Sequence, residues 1–200
     1  MKSERVSISS TGEGMKYALL ITEGIGTDYG LDKKQVLQIR LLAEELLGMI
    51  RSLAGEVEAS YWLENAEKRF DLHLKAEVPL TEDMRKQFLS ISSTGENAAA
   101  KSFMGKIRGM IATAIFATQV SDSEIFSGLS MGLTGMVSPT AMGAGSGTYL
   151  WSLDKYKEEA KKDEEAWDEL EKSIVAKLAD EVSVKIVGAN VEIIVSKEFK

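Results

Sequence analysis

The stretch GENAAAKS, Gly95 to Ser102, fits the phosphate-loop pattern GxxxxGK[ST] at every fixed place except the second glycine, where Ala100 stands. In such a loop Lys101 reaches the terminal phosphates, Ser102 ligates Mg²⁺, and backbone N–H groups cradle the anion. Thr94, Gly95 and Asn97, with Lys101, Lys106 and Arg108 close in sequence, form a looser alternative: an anion held at a helix start. This region opens with SISSTGE, Ser90 to Glu96, identical to Ser7 to Glu13. The flanks GMKYALL and NAAAKSF do not continue the match, so a duplicated module is not expected. Both copies place hydroxyls and a glycine ahead of a helical pattern, where side-chain oxygens accept the orphan N–H groups of a first turn. Capping is therefore the expected role of both. A third candidate is GAGSG, with Gly143, Gly145 and Gly147, which serves either to wrap a ligand or as a connector. Met131, Met136 and Met142 nearby suit an adaptable surface for another protein.

Composition removes several chemistries. The 200 residues contain no cysteine, which excludes disulfides, thiolate zinc sites and thiol nucleophiles together. The one histidine, His73, lies in an alternating strand pattern and reads as a packed or solvated imidazole; alone, it excludes His-rich metal sites. A formal net charge of −7 is a poor match for a phosphate backbone, so nucleic acid is not an expected partner. The start MKSERVSISS lacks the basic-then-apolar order of a secretory signal, so a cytoplasmic location is expected. The almost uncharged run from Phe126 to Trp151 is too rich in glycine and hydroxyls for a membrane span and reads as an irregular loop.

The elements that must position these residues follow from periodicity. ERVSIS reads as an opening strand. Residues 13–28 read as a helix with Tyr17, Leu20, Ile21 and Ile25 on one side, ending at Gly24 or Gly26. Residues 31–55 carry the strongest helical stripe, Val36, Ile39, Ala43, Leu46, Ile50 and Leu53, widened by Leu42 and Met49, with Asp32 as N-cap and Gly55 as stop. Ala59 to Leu63 and Arg69 to Val78 read as a half-exposed hairpin across ENAEK. In its second strand Phe70, Leu72, Leu74 and Ala76 oppose Asp71, His73, Lys75 and Glu77. A short helix TEDMRKQFL and a helix over roughly 97–118 follow. Then come the glycine-rich stretch, one long charged helix from Lys155 to Val182, and a closing hairpin turning at Gly188 to Asn190. This order predicts an α+β single domain, a two-layer sandwich of mixed or antiparallel sheet covered on one face by helices, with a helical and glycine-rich insertion at about 80–165.

The run GMKYALLITEGIGTDYGLDKKQVLQIRLLAEELLGMIRSLAG resembles the first two helices of the histidine-kinase-like ATPase fold, especially its bacterial anti-sigma-factor serine-kinase branch. SIVAKLADEVSVKIVGANVEIIVSKEF is similar to that branch's last helix and closing hairpin. The resemblance implies a catalytic glutamate at Glu45, or at Glu44 in a register one residue earlier, and ATP with Mg²⁺ as cofactor. It also implies an asparagine one turn later for the metal. Here that place holds Met49 or Gly48, and neither supplies the oxygen a hard cation requires. No DxGxG adenine box follows Val78. The place of the last glycine box holds Glu169, Leu170, Glu171 and Lys172, where carboxylates repel a triphosphate. The expectation is a regulatory or interaction protein, partnered by another protein or by a second copy of itself, with nucleotide binding weakened or lost. The alternative is an active serine kinase with a rebuilt phosphate site. Without that resemblance, Arg40 and Glu44 read as a solvent-facing i,i+4 pair and Glu45 as a surface residue.

Overall fold

A computed structural model of the chain describes residues 1–51, 56–78, 107, 109–111, 114–115 and 148–200. In chain order these form β1 (Val6–Ser9), α1 (Met15–Asp28), α2 (Lys33–Arg51), β2 (Glu58–Ala66), β3 (Arg69–Glu77), β4 (Thr148–Ser152), α3 (Leu153–Ala160), α4 (Glu164–Lys172), α5 (Ile174–Leu178), β5 (Glu181–Val187) and β6 (Asn190–Glu198). The fold is α+β. Six strands make one open sheet in the order β1-β2-β3-β6-β5-β4, every pair antiparallel.

The register explains how the two ends of the chain become one layer. Leu72 stands opposite Val195 and Leu74 opposite Ile193, so the β2–β3 hairpin and the closing β5–β6 hairpin zip together through β3 and β6. The period-2 pattern then sends Tyr61, Leu63, Phe70, Leu72, Leu74, Ala76, Val182, Val184, Ile186, Val191, Ile193 and Val195 to one buried face. Helix α2 packs on that face through Ile39, Leu42, Ala43, Leu46, Leu47, Met49 and Ile50. Ile107, Met110, Ile111, Ala114 and Ile115, from the stretch expected to be helical, are helical and buried; Ile111 lines one small apolar cavity with Met49, Ile50, Leu74 and Ala76.

Helix α2 begins as its sequence predicts. The Asp32 carboxylate accepts from Lys34 N and Gln35 N, both at 2.8 Å, and Asp32 N donates to Gln35 Oε1 at 3.0 Å, a reciprocal capping box. Helix α1 departs from expectation in length and in part of its face: Ile25 is buried and Ile21 packs against the core as expected. Its buried residues are Met15, Ala18, Thr22, Ile25 and Gly26, while Tyr17 and Leu20 are about half exposed. Close helix packing contributes: a Cβ on Gly26 would lie 2.7 Å from Ile39 Cδ1, so α2 approaches on the side where the glycine sits. Gly24 and Gly26 consequently sit inside the helix, which ends at Asp28, ahead of Gly30 in the left-handed region at φ 77°.

Three further expectations are corrected. The hairpin turn is two residues, Glu67 and Lys68, rather than ENAEK, because Asn65 stays in the strand. Its side-chain nitrogen donates to Glu67 O at 3.0 Å and Arg69 O at 3.2 Å, supporting Glu67 at φ 57°. The long charged helix is instead three, divided by caps that compete with helix continuation: Asp163 accepts from Glu165 N and Ala166 N, and Ser173 from Ala176 N. The end of the glycine-rich run, Thr148–Ser152, is a strand paired with β5 and not part of an irregular loop.

The first SISSTGE copy does not cap α1. Its SIS completes β1, and the rest folds back on that strand: Ser9 N donates to Glu13 O at 3.1 Å and Gly12 N to Ser9 O at 3.0 Å. The N-cap is Gly14, with no side-chain hydrogen bond. A Cβ there would approach Ser7 O to 2.0 Å, so the turn is pressed against the strand too closely for a side chain. The second copy lies outside the described residues. Among the described residues no helix is long and apolar enough to cross a membrane.

Candidate functional site

Helix α2 carries both glutamates singled out in the sequence. Residue spacing of 3.6 per turn sets Leu42, Leu46 and Met49 inward and leaves Glu44 and Gly48 exposed, with Glu45 half-buried at the boundary. Glu44 is engaged: Arg40 Nε donates to its Oε1 at 2.9 Å, while Arg40 Nη1 bonds Glu23 of α1. Those two bonds, the one to Glu23 foremost, hold the Arg40 guanidinium above its ordinary pKa. Glu44 therefore braces, within α2, the arginine that ties α2 to Glu23 of α1, a use that requires no chemistry. Glu45 has no hydrogen-bond or ion-pair partner among the described residues.

One turn beyond Glu45, Met49 is 4% exposed and packs with Ile50, Leu74, Ala76, Ile111, Val191 and Ile193. A thioether in an apolar pocket holds no Mg²⁺. In the other register Gly48 is exposed, with nothing within 4 Å of where a Cβ would stand. Where the resemblance puts the last glycine box, α4 offers carboxylates already committed to a lysine: Lys172 Nζ bonds Asp168 at 2.6 Å and Glu169 at 3.2 Å. These residues do not fit a nucleotide with its metal. Among the described residues there is no group of three or more acidic or histidine side chains placed to hold a metal ion. Thr94, Gly95, Asn97, Lys101, Ser102, Gly143, Gly145 and Gly147 lie outside the described residues.

The sheet's other face holds a cluster that sequence reading divided among separate elements. Trp62 of β2 stands opposite His73 of β3, and the rings stack with centroids 4.7 Å apart and planes 9° from parallel. From the β1 side, Arg5 lies 4.6 Å and Lys2 Nζ 4.9 Å from the centre of the Trp62 ring. Glu64 Oε1 accepts from Lys2 Nζ at 2.7 Å and Trp62 Nε1 at 2.9 Å. These bonds, that from Lys2 foremost, hold the Glu64 carboxyl below its ordinary pKa. Trp62 is 4% exposed despite facing away from the helices. The imidazole is indeed packed, and both ring nitrogens are buried without a hydrogen-bond partner. Alternation in β3 placed His73 on this face, but no local signal assigned Trp62 as its cross-strand neighbour; register did.

Farther along the same face, Arg69 bonds Asp71 at 2.9 Å, Glu181 at 3.0 Å and Ser196 at 2.9 Å, tying β3, β5 and β6 together. No family model matches the chain, and no curated protein is detectably similar to it.

Proposed function

We propose that the chain is a regulatory or protein-interaction protein on a histidine-kinase-like ATPase fold, with nucleotide binding weakened or lost. The observation that carries this reading is Met49: the place where the fold's ATPases need a metal-holding oxygen is filled by a thioether in the apolar core. The ion pairs of Glu44 and Glu169 support it, since both carboxylates already have structural partners. The partner proposed is another protein, with a second copy of this chain as the alternative.

One observation favours a second reading, an active serine kinase or ATPase. Glu45 is a half-buried carboxylate free of ion pairs among the described residues, as a general base would be. Mg·ATP turnover by the wild-type chain and by Glu45→Gln separates the two. The interaction reading expects the same background rate from both. Turnover abolished by Glu45→Gln would replace it with the kinase reading.

A further inference from the structure

The segment preceding β1 runs along β2, its terminal amine donating to Asn65 O and Tyr29 OH donating to Met1 Sδ at 2.9 Å. Ser3 N donates to Leu63 O at 2.8 Å, Leu63 N to Ser3 Oγ at 2.9 Å, and Asn65 N to Met1 O at 2.7 Å. Its side chains reach the open face through Lys2 and Arg5, both over Trp62, and Lys2 closes on Glu64. On the far side of Trp62 lies His73, whose side chain is 12% exposed and whose nitrogens have no partner. The carboxylate nearest to it is the same Glu64, with Oε1 3.9 Å from Nε2: within ion-pair reach, beyond hydrogen-bond distance.

One carboxylate thus stands between two claimants. With neutral His73 it serves Lys2 and the indole N–H. A proton on His73 adds a buried cation with two unmet N–H donors, and such a group takes the nearest acceptor. The surrounding charges favour that exchange. Lys2 from the leading segment repels an imidazolium, and the other cations nearby are Arg5, over the same indole, and Lys75, two residues along β3. Asp71 from β3 and Glu192 from β6 attract it, but Asp71 is engaged by Arg69. Ile194, opposite His73 on β6, offers nothing polar in its side chain.

We propose that His73 and Glu64 form a proton-operated latch for residues Met1–Arg5: protonation of His73 draws the Glu64 carboxylate from Lys2 and Trp62, and the segment leaves β2. The inference stands apart from the proposed function and does not require it. Its consequence is a surface, the outer edge of β2 beyond β1 together with the Trp62 ring, that is covered at neutral pH and uncovered in mild acid.

Because His73 is the only histidine, its ring protons give one unambiguous NMR titration. The latch expects the Ser3 and Asn65 amide signals to shift with the same midpoint as the His73 ring, below the ordinary imidazole value. It also expects loss of Asn65 amide protection on the acid side. His73→Phe keeps a stacked ring without a proton site and must abolish the coupled shift and loss of protection. Glu64→Gln removes the charged acceptor and must lower the His73 midpoint. Ring titration with no response at Ser3 and Asn65 would overturn the latch. So would an undiminished acid response in a folded His73→Phe chain.

Discussion

Thr22 Oγ1 and Tyr61 OH lie 2.7 Å apart in the core, both residues 0% exposed, joining α1 to β2 through the only polar contact described between them. Thr22 also donates to Ala18 O at 2.8 Å, which leaves its oxygen to accept from the tyrosine. The two partners are therefore unequal. Tyr61→Phe removes a donor whose acceptor keeps another bond, and should cost about 1 kcal/mol. Thr22→Val strands the buried tyrosine hydroxyl and should cost about 1–3 kcal/mol. Urea unfolding of the two variants checks the order; equal midpoints would mean that the hydrogen bond is not what joins the layers.

The glycines separate into two kinds. Gly14→Ala brings a Cβ within 2.0 Å of Ser7 O at φ 75°, and should destabilise by more than about 2 kcal/mol. Gly24→Ala and Gly48→Ala meet nothing within 4 Å inside helices, and each should stabilise by about 0.5–1 kcal/mol. Thermal unfolding of the three variants reads both signs at once.

Burial, opposed by Glu64, Asp71 and Glu192, lowers the His73 pKa from 6.5. The unfolded chain then takes the proton first, so this contribution to stability is complete above about pH 6.5 and declines as the pH falls through and below that value. Urea midpoints of the wild type and His73→Phe should diverge between about pH 7.5 and 5, the variant losing less stability in acid. Parallel curves would remove His73 from the acid response.

Asp32→Ala should lose about 1 kcal/mol by removing the carboxylate that accepts from Lys34 N and Gln35 N, and Gln35→Ala less, since it removes the one bond from Asp32 N. Helix α2 places seven buried side chains in the core, so the loss should appear in global unfolding.

The Asp32 cap was legible because its signal is local: Asp32 and the apolar stripe fall within a few turns of one helix, although Gln35, which completes the box, was not singled out. The same holds for β3, whose alternation from Arg69 to Glu77 gives both faces, and for the closing hairpin at Gly188, φ 60°. What sequence reading missed was settled between elements. The buried side of α1 was read only in part, correctly at Ile25 and wrongly at Tyr17 and Leu20, because Gly26 lets α2 approach and a glycine adds nothing to a hydrophobic stripe. The continuous charged pattern after Leu153 concealed caps at Asp163 and Ser173 that compete with helix hydrogen bonds. In the candidate site, that Met49 offers no oxygen to a hard cation was readable from residue type alone. The burial that makes the side chain part of the core, and the stack of His73 on Trp62, required the strand register.

The central claim is that Met49 and the paired carboxylates leave no working nucleotide site. Thermal unfolding with and without millimolar Mg·ATP tests it most directly, because a ligand at a hundred times its Kd adds about 2.7 kcal/mol to the native state. For a chain of this size each kcal/mol raises the midpoint by about 2–4 °C. The result expected is an unchanged midpoint; a saturable rise of several degrees that requires both Mg²⁺ and ATP would contradict it.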